Sequence, residues 1–170
     1  MTDGPTRTCT IRPGEVRDLA ALADFEHRIF AVDRLSRRSF RHFLQTPSAA
    51  LLVGEREERF AGYALVLFRP RSAIGRLYSI GVEPAFAGQG IGPALLAAAE
   101  RAAIARDCRR MRLEVQTTNS RAIRRYECAG YRLLGRRPRY YDDGSDALRY
   151  EKTLAADGKE TPAGRKDSCE

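Results

Sequence analysis

Apolar and polar positions change period several times along the chain, and each change marks an element. Thr10-Ile11-Arg12-Pro13 alternates as a short first strand. Between Asp18 and Phe30 apolar residues fall at 19, 22, 25 and 29, the spacing of one helix face, with Asp18 placed as its N-cap. Ser36 to Leu44, with Phe40, Phe43 and Leu44, predicts a second short helix that ends before Thr46-Pro47-Ser48. Two apolar runs, 50–54 and 60–68, flank a polar turn at Glu55–Arg59 and predict an antiparallel hairpin. Gly75 to Val82 is the next strand. A helix from Ile91 to about Arg106 follows, burying Ile91, Leu95, Ala98, Ala99 and Ala102. Met111 to Gln116 is a strand with Leu113 and Val115 on one face and Arg112 and Glu114 on the other. Asn119–Cys128 is a helix stopped by Ala129-Gly130, and Tyr131–Gly135 and Ala147–Leu154 close the chain as strands.

A strand, a crossover helix and another strand predict a parallel pair at the centre of a sheet whose first part is antiparallel. The expected architecture is therefore a single α/β domain over residues 10–154, with a mixed sheet of about six to seven strands and about four helices. Residues 1–9 read as a loose leader, and the polar stretch 155–170 as a disordered tail. The 170 residues, 43% hydrophobic and 31% charged, suit one globular domain with a real core.

The pattern of greatest chemical interest runs from Tyr78 to Leu96. A strand ends at Val82-Glu83-Pro84, glycines stand at 88, 90 and 92, and an alanine-rich helix begins at once. Glycine permits positive φ and a close backbone approach, and the free N–H groups of a helix start form an anion site. Pro93 fits the first helical turn, where a missing N–H costs little. The loop ends Gly92-Pro93-Ala94, without the Lys-Ser/Thr of a nucleotide P-loop, and its third glycine comes one residue too early for a dinucleotide fingerprint.

Val82-x-Pro84, Gly90-x-Gly92 and the Ala/Leu helix resemble the acetyl-CoA-binding motif of the GCN5-related N-acetyltransferases (GNAT family). A second block strengthens the resemblance: Leu113-Glu114-Val115, then Asn119-x-x-Ala122-x-x-x-Tyr126-Glu127-x-x-Gly130-Tyr131. Together they are similar to the ribosomal-protein alanine acetyltransferase branch, over roughly residues 10–154. Ala87 departs from the pattern, which usually has Gln or Arg there, and predicts weaker cofactor binding.

The resemblance implies transfer of acetyl from acetyl-CoA to a primary amine by direct attack in a ternary complex, without a metal. The parallel pair would splay around the cofactor. Ile80, Gly81 and Val82 would pair their backbone with pantetheine, and Gly88, Gln89, Gly90, Ile91 and Gly92 would cradle the pyrophosphate. Asn119 would hold the pantetheine arm and Tyr126 would protonate the sulfur. The pair stands two turns apart on one helix face, although Asn119 is also a natural cap and Tyr126 a natural core residue. Glu114 would deprotonate the amine, or else pair with one of the many arginines; a carboxylate between apolar strand neighbours needs one reason or the other. The Val82 amide would donate to the oxyanion. Tyr140 and Tyr141 would lie beside an incoming peptide, or simply be exposed loop aromatics. The first helix pair would wall the acceptor site, where Glu26, His27 and Asp33 either meet substrate or serve as surface charge. The implied acceptor is a protein or peptide N-terminal α-amine, with a small amine or a lysine side chain as the alternative.

The remaining composition limits the rival classes. The net charge of +8 is carried almost wholly by arginine, since lysine appears only at 152, 159 and 166. No arginine run is interleaved with stacking aromatics, so nucleic acid is not an expected partner. A non-catalytic coenzyme A binder or basic interaction module is the alternative from a different class. Cys9, Cys108, Cys128 and Cys169 are scattered without a Cys-x-x-Cys pair, which predicts reduced thiols and no metal site. No run reaches the length of a membrane span, and the start lacks the apolar core of a signal peptide, so a cytoplasmic location is expected.

Overall fold

The computed structural model describes residues 8–155. Seven strands form one sheet in the order β1-β2-β3-β4-β5-β7-β6, crossed by four α-helices. The strands are β1 (Cys9–Pro13), β2 (Ala49–Arg56), β3 (Arg59–Phe68), β4 (Ile74–Val82), β5 (Arg110–Gln116), β6 (Arg132–Arg137) and β7 (Ala147–Thr153). The helices are α1 (Leu19–Ile29), α2 (Arg37–Gln45), α3 (Ile91–Ile104) and α4 (Ser120–Cys128). Only β4 and β5 run parallel, as the crossover through α3 requires. The expected leader and tail fall largely outside the described residues.

Alternation in the strands divides the interior into two cores. Leu51, Val53, Tyr63 and Leu65 pack with Leu19, Leu22 and Phe25 of α1 and Phe40 of α2. The intervening positions of β3, with Leu77, Met111, Leu113 and Val115, pack against Leu95, Ala99 and Ala103 of α3. A Cβ added at Gly75 would lie 3.2 Å from that of Ala103, so small residues set how closely α3 approaches the sheet. The β2–β3 turn places Glu57 and Glu58 at φ 52° and 60°, the left-handed pair that suits a tight hairpin.

Two details depart from the sequence reading. Asp18 sits at the N-cap of α1, but its side chain makes no cap. The chain enters through a 3-10 turn over Val16–Asp18, and Asp18 is buried. There it accepts from Arg12 (2.8 Å to each oxygen) and from the Glu15 N–H (2.7 Å). A buried carboxylate gains more from a guanidinium than from a helix start. Ser36 does cap α2, accepting from the Ser39 N–H at 3.1 Å. The second departure concerns the cysteines. Cys9 and Cys108 are free, but Cys128 is disulfide-bonded, which corrects the expectation of reduced thiols. Sequence spacing does not show which thiols meet in space.

The feature that makes the site is a break between β4 and β5. Their register runs from Ile74↔Arg110 to Leu77↔Leu113 and stops. Yet β4 stays paired with β3 as far as Val82, and β5 with β7 as far as Gln116. At the same point β4 carries a bulge: Val66 faces Leu77 and Leu65 faces Ser79, leaving Tyr78 as an extra residue. A bulge bends its strand and re-aims the side chains beyond it. Past Tyr78, Ser79 and Gly81 turn toward α1, while Ile80 and Val82 join the α3 core.

Candidate active site

The gap between the strands is the middle of one cleft of about 1740 Å³, larger than the usual ~300–1,000 Å³ of a single small-ligand pocket. Its walls are the free edges beyond Leu77 on β4 and beyond Leu113 on β5, with the glycine loop at one end and Tyr140 and Tyr141 at the other. Unpaired backbone on β4 is what an extended ligand needs in order to add as a strand.

At the loop end, Gly88 (φ +73°) and Gly90 (φ +81°) are left-handed, and Gly90 is the N-cap of α3. A Cβ at either position would meet nothing within 4 Å, so glycine is required here by conformation and the space beyond stays open. No side chain caps α3, which leaves the first N–H groups of the helix without an intrahelical partner. Gly92 differs: its Cα lies beneath the Arg125 guanidinium of α4, which would be 2.7 Å from an added Cβ. Gln89 is exposed and Ile91 is buried in the core. The residues present therefore suit a pyrophosphate group.

In the middle of the cleft, Asn119 is the N-cap of α4, its Oδ1 accepting from the Ala122 N–H at 3.2 Å. The capping role is filled, and the residue also faces the cleft. Tyr126 is 7% exposed and belongs to the α3-side core, yet it too lines the cleft. Burial pushes its phenol up to about 12, so it remains protonated at neutral pH.

Glu114 lies mid-β5 with its side chain only 5% exposed. Arg149, opposite on β7, donates to Oε1 at 2.7 and 3.1 Å, and Arg76 of β4 donates to Oε2 at 3.2 Å. Arg76 also donates to the Tyr140 hydroxyl. The arginine partnership anticipated for Glu114 is therefore formed, twice over. Tyr140 and Tyr141 are half-buried, their rings edge to face at 5.0 Å, and burial pushes both phenols up. They do not hang free in solvent.

Of the three residues weighed as surface charge, His27 and Asp33 are exposed but Glu26 is not. Glu26 is 2% exposed, takes the Tyr63 hydroxyl on Oε1 and takes the Leu35 N–H on Oε2 at 2.8 Å. The surface reading of Glu26 is corrected. It follows Phe25 on the inward face of α1, and the loop after the helix folds back over it. The sequence reading passed over Tyr63 and Ser79, whose oxygens lie 2.7 Å apart. Both sit in strand runs where apolar neighbours conceal a polar function.

The site is a split parallel pair whose open β4 edge runs beside an uncapped helix start, in an α/β domain with one mixed sheet. The family model of the acetyltransferase (GNAT) family matches residues 16–131, and the chain belongs to that family. It is similar to a Bacillus subtilis protein whose name provisionally assigns it as a ribosomal protein bS18-alanine N-acetyltransferase. The two are 29% identical over 139 residues, 81% of this chain and 91% of that one. An uncharacterised N-acetyltransferase of Methanocaldococcus jannaschii is 31% identical over 139 residues, 81% and 87% of the two chains. Among solved structures, the Escherichia coli ribosomal-protein-S18-alanine N-acetyltransferase superposes with a TM-score of 0.77 at 27% identity, covering 91% of this chain and 99% of that one. The chain is an N-acetyltransferase.

Proposed function

We propose that the protein transfers acetyl from acetyl-CoA to an N-terminal α-amine of a protein or peptide, by direct attack within a ternary complex. The observation that carries this reading is the β4–β5 break, opening on the glycine cradle with Tyr126 between the two ends. The relatives named for alanine acetylation of a ribosomal protein support the choice of acceptor.

Bound acetyl-CoA supplies the thioester that the amine attacks. The backbone of Ile80, Gly81 and Val82 pairs with its pantetheine arm, with the Val82 amide as donor to the developing oxyanion. Asn119 flanks the arm, and Gly88–Gly92 with the α3 N-terminus hold the phosphates. Tyr126, protonated at neutral pH, gives a proton to the departing sulfur. Glu114 stands at the acceptor end, its negative charge shared between the guanidiniums of Arg149 and Arg76, and Arg76 also holds Tyr140. Tyr140 and Tyr141 line the entry of the peptide backbone. The described residues contain no cluster of three metal-ligating side chains and no helix long and apolar enough to cross a membrane.

The test is coenzyme A release across an acceptor panel: peptides with free N-termini, the same peptides blocked but carrying lysine, polyamines and aminoglycosides. Release with free N-termini alone is expected. Release only with lysine or small amines would refute the acceptor class and leave the transferase in place. Acetyl-CoA binding without release from any acceptor would favour the binding-module reading.

A further inference from the structure

Glu114, expected to take the amine's proton, already accepts three guanidinium N–H bonds. Those charge-assisted bonds hold both of its oxygens against Arg76 and Arg149. The cleft contains a second buried carboxylate, Glu26, and the chain invests three elements in connecting it to the β4 edge. From α1, Glu26 meets the Tyr63 hydroxyl of β3. That hydroxyl is in turn 2.7 Å from Ser79 Oγ on β4. Ser79 lies two residues past the last β4–β5 pair and lines the cleft. It faces this way only because of the bulge at Tyr78.

We propose that Ser79, Tyr63 and Glu26 form a proton relay for the acceptor amine, with Ser79 touching the amine and Glu26 as terminal acceptor; the proposal rests on the acetyltransferase reading above. Tyr63 donates to Glu26, so the Ser79 hydroxyl donates to Tyr63 and leaves its lone pairs for an N–H in the cleft. As the amine N–H bond breaks, an O–H bond forms at Ser79 while the Ser79 proton passes to Tyr63. The Tyr63 proton passes to Glu26 Oε1 in the same shift. One proton moves from the amine to the carboxylate, and each hydroxyl ends as it began. After product leaves, Glu26, which itself borders the cleft, returns the proton to solvent.

The energetics favour this direction. Glu26 faces the Tyr63 hydroxyl from β3 and the Leu35 amide and Arg34 from the loop after α1, while Ser79 and Tyr78 of β4 act on Tyr63. Burial raises its pKa, against the opposing effects of the Tyr63 hydroxyl, the Leu35 N–H and the Arg34 charge. Accepting a proton therefore relieves a buried negative charge. Burial and the adjacent carboxylate also push the Tyr63 phenol up, which keeps it a neutral carrier.

The experiment is the pH dependence of kcat/KM for the wild type, Glu26→Gln, Ser79→Ala, Ser79→Thr and Glu114→Gln, using whichever amine the panel identifies. General-base contributions of ~10²-fold set the expected loss for Glu26→Gln and Ser79→Ala, with partial rescue by Ser79→Thr. The decisive readout is the acid limb. Without the relay the amine must arrive already neutral, so the limb moves up to the amine's own pKa, about 7.7–8.0 for an α-amine or ~10.4 for lysine. Glu114→Gln leaves the limb where it is. An acceptor-free measurement accompanies it: the ¹³C carboxyl resonance of Glu26 titrates above the usual glutamate range, and Tyr63→Phe shifts that midpoint. A limb unmoved in both Glu26→Gln and Ser79→Ala, or a Glu26 carboxyl titrating at or below the ordinary value, overturns the relay alone. If Glu26→Gln does not fold, the half-buried Ser79 variants and the wild-type titration decide. Turnover of no amine at all brings down the relay together with the functional reading.

Discussion

The same added methyl group at two glycines of this site should have opposite costs. At Gly81 an ideal Cβ would stand 2.7 and 2.8 Å from the Phe25 ring edge. At Gly92 it would stand 2.7 Å from the Arg125 guanidinium. The overlaps match, but the neighbours differ. The Phe25 ring is fully buried and held edge to face by Phe30, Phe60 and Tyr63, at centroid distances of 6.1, 5.6 and 5.9 Å. It has no free rotamer to move into, so α1 or β4 must give way. Overpacking of this kind costs about 1–3 kcal/mol. For a domain of this size each kcal/mol lowers Tm by ~2–4 °C, so Gly81→Ala should melt roughly 2–12 °C below the wild type. The Arg125 guanidinium is the far end of a flexible, half-exposed side chain. Gly92→Ala lies inside α3 and should be neutral or up to ~1 kcal/mol stabilising. Thermal melts of both variants test the difference. A double-mutant cycle with Phe25→Leu tests its cause, because a smaller side chain should relieve Gly81→Ala and make the pair less costly than the sum. A Gly81→Ala melt within 1 °C of wild type, or an additive cycle, would refute the reasoning.

Other outcomes can be stated more briefly. Arg12 bridges Asp18 and Glu55, at 2.8 and 2.5 Å, so Arg12→Leu strands a buried carboxylate and should cost about 2–3 kcal/mol in urea denaturation. Burial alone would raise Asp18, but its bonds to Arg12 and to the Glu15 N–H outweigh that and hold it below its ordinary value; Arg12 does the same for Glu55. The wild type's stabilisation is therefore complete above the ordinary carboxylate range and is lost as pH falls through the depressed values, and Arg12→Leu should flatten that acid slope. Tyr126→Phe should leave the melting temperature nearly unchanged while lowering turnover by ~10²-fold, read as coenzyme A release. Ala87→Gln should tighten coenzyme A binding by calorimetry, since the loop then regains the side chain that the family pattern carries there.

The sequence by itself determined the elements and the glycine-loop end of the candidate site. Periodicity placed all seven strands and four helices to within a few residues, because each depends on local spacing and on which face meets a core. Gly88 and Gly90 were legible for the same reason: positive φ at a helix start is a demand that residue type can reveal. Asn119 and Tyr126 were legible as the start and last turn of one short helix, and both line the cleft, Asn119 as the cap of α4. What only the tertiary structure decided lies across strands and depends on register. The stretch Gly75 to Val82 reads as a continuous strand, and nothing in it announces the bulge at Tyr78 that ends the β4–β5 pairing and turns Ser79 toward α1. Glu114 stood out as a charge within an apolar run, but its two arginines come from β4 and β7, 38 and 35 residues away in sequence. Glu26 read as surface charge because helical spacing marks the apolar stripe and says nothing about a loop folding over its edge. Its partner Tyr63 is 37 residues distant. Local preferences fix elements, whereas the cross-strand side-chain contacts of this site exist only after the sheet has closed around it.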